Sequence, residues 1–364
     1  MNRKMKNNSG IILFIVLWAL VILTTLAVSL GRGTNIELIL AKYSVAKLKA
    51  KYLAWGGLVY AIHQISLDSE DEDSKDKDTL YYCAIPIDSE KSPESLFKQR
   101  PLGDGYFEVA FFSQDTPETK SSLRFGLEDE ERKININATN VSNTDVLSSL
   151  IVLLGFDEEL AKTIAFSVVD WIDDGDVLSQ SGYGAEDDYY AGLGYHCKNK
   201  PFDSLEELLL VRGMTKEIFK KIKNYITIFP KTEGAVLKMN FDTASEIVLK
   251  AAAYTFTGGD TNAEISDADS LVEKIVRYRS GEDGLEFTED DRVVDSHEVA
   301  IILNPREGAI FSTMDNKQFR TNKSDFLHVV VRGRGENSEV DATIEAVVSR
   351  EIPESISIVS WKTY

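Results

Sequence analysis

The chain has 364 residues, 43% of them hydrophobic and 27% charged, which is enough for two or three domains with buried cores. Asp and Glu number 59 against 40 Lys and Arg, so the net charge is -19 and binding to nucleic-acid phosphates is disfavoured. Two cysteines, Cys83 and Cys197, are too few for a disulfide-rich scaffold or a cysteine-rich zinc module.

The first predicted element is a long N-terminal helix. Residues 11–30 carry no charge, and a helix of that length rises about 30 Å, enough to cross the hydrocarbon core of a bilayer. The preceding segment, residues 1–10, is basic and favours a cytoplasmic N-terminus. Residues 34–67 contain no proline, and their apolar residues recur at helical spacing. We therefore predict one helix over residues 11–67, partly membranous and partly amphipathic.

The N-terminus allows three interpretations. A secretory signal peptide is disfavoured, because its apolar part runs only about 7 to 15 residues and ends at a small-residue cleavage site, which is missing here. An uncleaved signal anchor fits the composition. The basic leader ending at Gly10, with an apolar run that starts at Ile11, resembles the class III leaders of type IV pilins and pseudopilins. That resemblance predicts cleavage between Gly10 and Ile11 by prepilin peptidase, so that the apolar helix stays on the mature protein.

Composition and periodicity divide the rest of the chain into four regions. An acidic linker is predicted over residues 68–80, and a strand-rich region over residues 81–140. Helical spacing continues through residues 141–303, and the pattern returns to strands over residues 304–364. The order is therefore a long helix, strands, a helical insert and strands.

Within the first strand-rich region, residues 106–111 alternate after a glycine turn and form the clearest strand. We expect residues 123–127 and 134–136 to pair with it. The segments at 134–139 and 239–244 echo each other, because each is a strand-like turn with side chains able to cap the next helix. They divide the helical insert into two modules, residues 141–230 and 238–303.

Several motifs in this order resemble the protein K family of type II (general) secretion systems, whose members are minor pseudopilins. The motifs are DEERKININ at 129–137, DWID at 170–173, GAED at 184–187, KNKPF at 198–202 and MNFDTA at 239–244. Phe241-Asp242 and the long acidic linker depart from the family pattern. The resemblance implies an α+β, pilin-like fold: a long N-terminal helix packed on an antiparallel sheet, with a large all-α domain inserted between strands. The two modules of that domain look SAM-like or helix-hairpin-helix-like.

The resemblance also implies a structural, non-enzymatic role. It implies a single-pass protein of the Gram-negative inner membrane with most of the chain in the periplasm, where it caps the pseudopilus tip with the minor pseudopilins I and J. Further implied partners are the major pseudopilin, the inner-membrane assembly platform and prepilin peptidase, and at the tip the secretin or the exported proteins. Ile15 occupies the fifth mature position, where most pseudopilins carry Glu. An apolar residue there suits a subunit with no neighbour above it, because a carboxylate in the bilayer needs a partner.

The loop after Trp171 is dense in carboxylates. Hard oxygen ligands on a flexible loop suit Ca²⁺, which takes six to eight of them, whereas the alternative interpretation is a solvated acidic loop. The family resemblance, which includes calcium in the helical domain, favours a structural Ca²⁺ site. The predicted ligands are Asp173, Asp176, Glu186 and Asp187, with Asp170, Asp174 and Asp188 as further candidates.

Other chemistry receives less support. Cys83 and Cys197 are an even pair in a compartment expected to be oxidising, and both a disulfide and two separate thiols remain open. Because no metalloprotease, nucleophile-elbow, P-loop or dinucleotide motif occurs, no catalytic residue is predicted. Two alternative functions are a minor type IV pilus subunit for adhesion or DNA uptake, and a membrane-anchored nucleic-acid-binding or hydrolytic protein. The latter rests on residues 210–226, which resemble a lysine-bearing helix-hairpin-helix turn.

Overall fold

The computed structural model describes residues 9–70, 92–113, 122–232, 234–258, 261–284, 290–352 and 355–364. Most of the predicted leader, most of the predicted acidic linker and Cys83 therefore lie outside the described residues. Leader cleavage and the disulfide stay predictions.

The elements are numbered in chain order. The helices are α1 (Ser9–Glu70), α2 (Pro93–Phe97), α3 (Thr144–Leu153), α4 (Glu158–Ile172), α5 (Asp187–Ala191), α6 (Lys216–Ile222), α7 (Glu246–Tyr254), α8 (Ile265–Arg279), α9 (Ser296–Ile302) and α10 (Pro305–Asn316). The strands are β1 (Arg100–Leu102), β2 (Gly105–Ser113), β3 (Ser122–Phe125), β4 (Glu128–Asp129), β5 (Ile134–Asn135), β6 (Ile226–Thr227), β7 (Met239–Asn240), β8 (Arg320–Thr321), β9 (Phe326–Gly335), β10 (Asp341–Ser349) and β11 (Ser357–Thr363).

The long N-terminal helix α1 is continuous, as the absence of proline predicts. Its apolar side chains from Ile11 to Leu30 are exposed, and this helix is long and apolar enough to span a membrane. One face of its distal half is buried instead, at intervals of three or four residues that place the side chains in one stripe. The buried residues of this stripe are Ala50, Ala54, Leu58, Ala61 and Ile65. The N-terminal half of the helix is therefore apolar and exposed, whereas one face of its distal half packs against a sheet.

The helix α1 extends beyond the predicted end at residue 67, and Asp68 does not begin a solvated linker. Asp68 is buried, and its carboxylate lies 3.3 Å from the guanidinium of Arg350 at the end of β10. This ion pair keeps the last turn of the helix against the sheet, which the acidic composition of the segment does not reveal.

The distal half of α1 packs on an antiparallel sheet that has seven strands within the described part of the chain. The strand order is β1-β2-β9-β10-β11, with β3 beside β2 and β4 beside β9. The helix crosses β9 at Gly333, where an added Cβ would overlap backbone atoms of Ala50 and Ala54. Glycine at this position therefore allows the close approach of helix and sheet.

The predicted partner of the strand at residues 106–111 is confirmed for one segment and wrong for the other. Ala110 of β2 pairs with Phe125 of β3, as expected. The segment at residues 134–136 does not join this sheet, because a 3-10 turn at Glu130–Arg132 carries the chain away from β4. Its first residues form β5, which pairs in parallel with β6 inside the helical insert.

The helical insert lies on the opposite face of the sheet from α1. Its two modules share one hydrophobic core, which also takes in Phe326 of β9 and Val347 of β10. The boundary predicted at residue 303 falls too early, because residues 305–316 form α10 rather than strands. Asn304 caps this helix and Pro305 occupies its first turn, a helix-start signal that the strand interpretation overlooked. The pilin-like sheet resumes only at β9.

A buried polar seam joins the insert to the sheet. The Asp129 carboxylate of β4 accepts hydrogen bonds from the Asn240 side chain at 3.0 Å and from the Thr243 hydroxyl at 2.5 Å. The neighbouring Glu131 lies 3.0 Å from the Lys238 ammonium. Burial raises the pKa of Glu131 to about 7 even though Lys238 opposes this shift.

The elements follow the predicted order of a long helix, strands, a helical insert and strands, and this prediction is confirmed.

Candidate metal centre

The carboxylate loop, residues 170–188, lies between two helices. The helix α4 ends at Ile172, and α5 begins at Asp187. The Trp171 ring packs against Tyr190 at a centroid distance of 5.0 Å and stacks on Phe202 at 6.2 Å. These aromatic contacts fix both ends of the loop against the core of the insert.

Two buried carboxylates of this loop have oxygens without hydrogen-bond partners among the described residues. One Asp170 oxygen accepts the Ser179 backbone N–H at 2.8 Å and is also bonded by the Ser179 hydroxyl. The other Asp170 oxygen and both Glu186 oxygens are buried and unpartnered. A Cβ on Gly184 would overlap the Asp170 carboxylate, so glycine there lets the loop close over this side chain. Unpaired buried carboxylate oxygens are costly, and a cation between them would remove that cost.

The electrostatics of the loop also favour a cation. Burial raises the pKa of Glu186 to about 7, and the negative charges of Asp170, Asp173, Asp176 and Asp187 add to this shift. Burial likewise raises the pKa of Asp173, with Asp170 contributing repulsion. Carboxylate oxygens are ligands that Ca²⁺ prefers, and a bound cation would offset their mutual repulsion. The chemistry of these residues therefore suits a calcium ion.

The structure separates the predicted ligands into different environments. Asp170 and Glu186 are buried, Asp173 is half-buried, and the other predicted carboxylates except Asp187 are exposed. Those exposed residues are Asp174, Asp176 and Asp188. Asp187 faces the following loop, with both carboxylate oxygens 3.0 Å from His196 Nδ1 and one accepting the Cys197 backbone N–H at 3.0 Å. The hydrogen bond with His196 lowers the pKa of Asp187, so this carboxylate already has a partner.

One residue beside the loop was missed by the sequence prediction. The Asn199 side chain donates to the Gly175 carbonyl at 3.3 Å, while its own carbonyl oxygen is buried without a hydrogen-bond partner in the described structure. It therefore offers one more neutral oxygen next to the carboxylates. Only the loop geometry identifies it, because the sequence separates Asn199 from the acidic run.

Cys197 lies against the same site. Its thiol donates to the Asp170 carbonyl at 3.4 Å. Burial raises the pKa of this thiol to about 12, and the nearby Glu186 carboxylate acts in the same direction. Because Cys83 is outside the described residues, the predicted disulfide is not tested.

Two basic residues of the lysine-bearing hairpin contact the insert itself. Arg212 donates to the Gly184 carbonyl at 2.7 Å, and its guanidinium lies 5.3 Å from the centre of the Tyr189 ring. The Lys221 ammonium donates to the Leu154 carbonyl at 3.3 Å. These groups contact protein atoms, so they offer little support for the nucleic-acid alternative.

A second cluster of possible ligands is charge-balanced. Glu128, Glu130 and His328 place donor atoms within 4.8 Å of one another, in a cleft of about 340 Å³ between the sheet and the insert. The Lys133 ammonium lies 3.2 Å from Glu128 and 3.0 Å from Glu130. His328 bridges Glu128 and Glu345 at 3.0 Å each. Burial lowers the pKa of His328, but these two hydrogen bonds outweigh it and raise the pKa to about 9. The charges of this cluster are therefore balanced by protein groups.

Comparison with known proteins gives one family. Residues 126–231 match the family model described as type II secretion system (T2SS), protein K. The putative type II secretion system protein K of Escherichia coli (strain K12) is 27% identical over 176 residues, which cover 45% of this chain and 51% of that protein. Type II secretion system protein K of Dickeya chrysanthemi is 30% identical over 92 residues, 25% of each chain. That of Aeromonas hydrophila is 29% identical over 108 residues, 29% of this chain and 32% of that protein.

The chain thus spans about half the length of the first relative and less of the other two. A solved structure, the GspK-GspI-GspJ complex of the enterotoxigenic Escherichia coli type 2 secretion system, contains a chain with the same fold. The TM-score is 0.61 at 18% identity, over 89% of this chain and 99% of that chain. The resemblance and the α+β fold predicted from the sequence are both confirmed.

Proposed function

Because residues 126–231 carry the protein K domain of type II secretion systems, we propose that this protein is a minor pseudopilin of such a system. It caps the tip of the periplasmic pseudopilus with the minor pseudopilins I and J, above the major pseudopilin, and aids export across the outer membrane. The relative in the solved complex is described together with GspI and GspJ, which supports this choice of partners. The role is structural, and no step of catalysis is assigned to the chain.

The observation that carries this proposal is the dual character of α1. One half is an exposed apolar helix long enough to span a bilayer, and the other half packs one face against the sheet to form a shared hydrophobic core. A subunit built in this way is held in the inner membrane while its folded part stands in the periplasm. The basic residues before the span favour that orientation.

Processing of the leader belongs to the same proposal. Gly10 and Ile11 lie in the first turns of α1, both are exposed, and a Cβ added at Gly10 would meet no atom of another described segment within 4 Å. We infer that a membrane peptidase can reach the peptide bond between them. Cleavage there leaves the apolar helix at the new N-terminus.

Gene deletion tests the role in secretion. We expect loss of the gene to reduce release of type II substrates into the medium, with the unreleased proteins accumulating in the periplasm, and the wild-type gene to restore release. A matched complementing gene that encodes only residues 31–364 lacks the membrane span and should fail to restore it. Normal secretion combined with lost pilus-dependent adhesion or DNA uptake would contradict the proposal and favour the type IV pilus alternative.

We also propose that the carboxylate loop holds one or more structural Ca²⁺ ions. Asp170, Asp173 and Glu186 are the central ligands, Asp176 adds a carboxylate from the exposed part of the loop, and Asp187 lies at its edge. The unpartnered buried oxygens of Asp170 and Glu186 support this proposal. Bound calcium would offset the repulsion among these carboxylates and hold the loop closed.

Calcium titration tests this site on the full chain in detergent. Calcium should raise the melting temperature of the insert and EDTA should lower it, whereas Glu186→Gln should reduce the shift strongly. Glu273→Gln is a matched control, because Glu273 is exposed on α8 and should leave the shift unchanged. A wild-type melting curve that ignores both calcium and EDTA would exclude the site.

A further inference from the structure

A cleft of about 340 Å³ lies between the sheet and the insert, on the face of the sheet that α1 does not cover. Ile344 and Ala346 of β10 pack toward α1, so the alternation of the strand turns Glu345 and Val347 toward the insert, where they line the cleft. The opposite wall is formed by the segment around β6 and by the start of α7. Ligand sites in proteins occupy roughly 300–1,000 Å³, so this cleft is large enough for a small ligand.

A row of alternating charges crosses the sheet wall of the cleft. His328 of β9 lies 3.0 Å from Glu128 of β4 and 3.0 Å from Glu345 of β10. Lys362 of β11 stands opposite Glu345 in the strand pairing and ends the row. The hydrogen bond from His328 lowers the pKa of Glu345 to about 2, and the positive charge of Lys362 acts in the same direction. Lys362 is exposed and forms no ion pair within the described residues, so its ammonium group can take an anion from a ligand.

Two further hydrogen-bond donors line the cleft from the side of the insert. Lys223 follows α6, is exposed and forms no ion pair within the described part of the chain. Ser245, directly before α7, is only 5% exposed, and its hydroxyl oxygen has no hydrogen-bond partner among the described residues. A buried hydroxyl without a partner is costly, and a ligand oxygen would remove that cost. Both walls of the cleft therefore offer donors to a ligand.

Most carboxylates of the cleft are already paired with protein groups. Glu130 lies 3.0 Å from the Lys133 ammonium, and Asp203 lies 2.7 Å from the Lys198 ammonium. Glu206 is exposed and is the one acidic residue lining the cleft that has no such partner in the described structure. Two unpaired lysines thus face one unpaired carboxylate. This balance suits a ligand with a single negative charge.

The dimensions and the apolar lining favour the end of an extended polypeptide. His328, Glu345 and Lys362 lie on three neighbouring strands, which places the first about 10 Å from the last. Three extended residues span about the same distance. The buried side chains of Val248 in the insert and Val347 in the sheet also line the cleft, where they can contact an apolar side chain. A chain end supplies both one carboxylate and such a side chain.

We propose that this cleft binds the carboxyl-terminal residues of another protein, one whose last residue is apolar. The two lysines attract the terminal carboxylate, the serine donates to an oxygen of the bound peptide, and the two valines contact its last side chain. The chain's own terminus is not this ligand, because Lys47 of α1 donates to the backbone oxygen of Tyr364 at 3.0 Å. The inference goes beyond the proposed function and does not depend on it.

Fluorescence anisotropy of the full chain in detergent tests this site. The probe is a fluorescein-labelled peptide, Gly-Ser-Gly-Ala-Val-Leu, with a free carboxylate on its leucine. We expect saturable binding that weakens at least about tenfold when an amide replaces the carboxylate, because charge-assisted hydrogen bonds are lost. Lys362→Ala and Lys223→Ala should each weaken binding at least about threefold. Lys323→Ala is the matched control, since Lys323 is exposed outside the cleft, and it should leave binding unchanged.

Ser245→Ala separates binding from folding. Because this hydroxyl has no hydrogen-bond partner in the described structure, its loss should weaken binding of the peptide at least about threefold without lowering the melting temperature. Equal binding of the acid and the amide peptide, or no saturable binding, would overturn the proposal. Sodium acetate that competes as strongly as the unlabelled peptide would also overturn it, because the cleft would then recognise a small anion. Protein secretion after gene deletion is measured independently, so failure of this site leaves the proposed function standing.

Discussion

The pilin-like unit and the helical insert differ in the kind of group that they leave available for binding. The pilin-like unit, α1 and its sheet, has paired its buried charges, as His328 does between Glu128 and Glu345. Its exposed apolar residues include the span, residues 11–30, and Trp55 and Trp361 beside the edge of the sheet. The helical insert extends its apolar core to Phe326 and Val347 of the sheet, and within the described structure it leaves buried carboxylate oxygens without hydrogen-bond partners at Asp170 and Glu186. The first unit therefore exposes apolar surface, whereas the second contains the carboxylates that we propose bind a cation.

The largest effect is expected from breaking the pilin-like unit at Gly333. Gly333→Val should destabilise it by more than about 4 kcal/mol, because the side chain would overlap the α1 backbone and lift the helix from the sheet. Limited proteolysis should then cut within the distal half of α1, while the insert keeps its calcium response. Gly308→Ala is the matched control, since a Cβ added at Gly308 in α10 would meet no atom of another described segment within 4 Å, and it should be neutral or slightly stabilising. A Gly333→Val protein as resistant as the wild type would contradict the packing.

The next effect belongs to the insert. The buried Asn137 side chain donates to the Phe202 and Ile228 carbonyls and accepts the Phe202 N–H at 2.7 Å. Asn137→Ala should cost roughly 3 kcal/mol, because it leaves buried backbone groups without partners. Thermal unfolding should show a lower transition for the insert. The exposed Asn316→Ala should change it by less than about 0.5 kcal/mol, and equal effects of the two substitutions would refute the contrast between them.

A smaller, pH-dependent effect tests the charge balance of the pilin-like unit. Because the pKa of His328 is raised from 6.5 to about 9, its charged form stabilises the fold fully below pH 6.5, and this contribution is lost as the pH rises through about 9. His328→Gln should therefore lower the free energy of unfolding by about 2–3 kcal/mol at pH 6 and by little at pH 9.5. Urea unfolding of both proteins at the two pH values measures this difference. A pH-independent difference would rule out the charged bridge.

The smallest effect sharpens the picture of the insert. The Arg212 side chain holds the carboxylate loop through the Gly184 carbonyl and the Tyr189 ring. Arg212→Ala should weaken the apparent calcium affinity by roughly threefold to tenfold, equivalent to about 1 kcal/mol, as measured by melting-temperature titration. Arg277→Ala, at an exposed position of α8, should leave it unchanged. If Arg212→Ala left the calcium titration unaltered, the prediction that Arg212 stabilises the carboxylate loop would be wrong.

Sequence patterns predicted those parts of the fold that depend on neighbouring residues. The uninterrupted α1 and the β2–β3 pair both follow from periodicity and local side chains. The parallel pairing of β5 with β6 could not be predicted, because it joins segments about 90 residues apart. The helix α10 was missed although Asn304-Pro305 is a local start signal, because the expected return to strands took precedence.

The candidate site shows the same division. The acidic composition of the loop was sufficient to locate it, but residue type alone does not distinguish Asp170, Asp187 and Glu186 as possible ligands. The structure distinguishes these carboxylates by their partners. His196 lies beside Asp187, whereas neither oxygen of Glu186 has a hydrogen-bond partner in the described structure. Asn199 enters the site through the fold of a later loop. Three-dimensional partners, rather than residue type, decide which carboxylate can bind a cation.

The N-terminal residue of the mature protein tests the central claim most directly. Protein purified from membranes of the native host is analysed by intact-mass measurement and N-terminal sequencing. A minor pseudopilin processed by prepilin peptidase should begin at Ile11, with residues 1–10 removed and the apolar part of α1 retained. A membrane protein that begins at Met1, or one that has lost residues 11–30, would contradict the account.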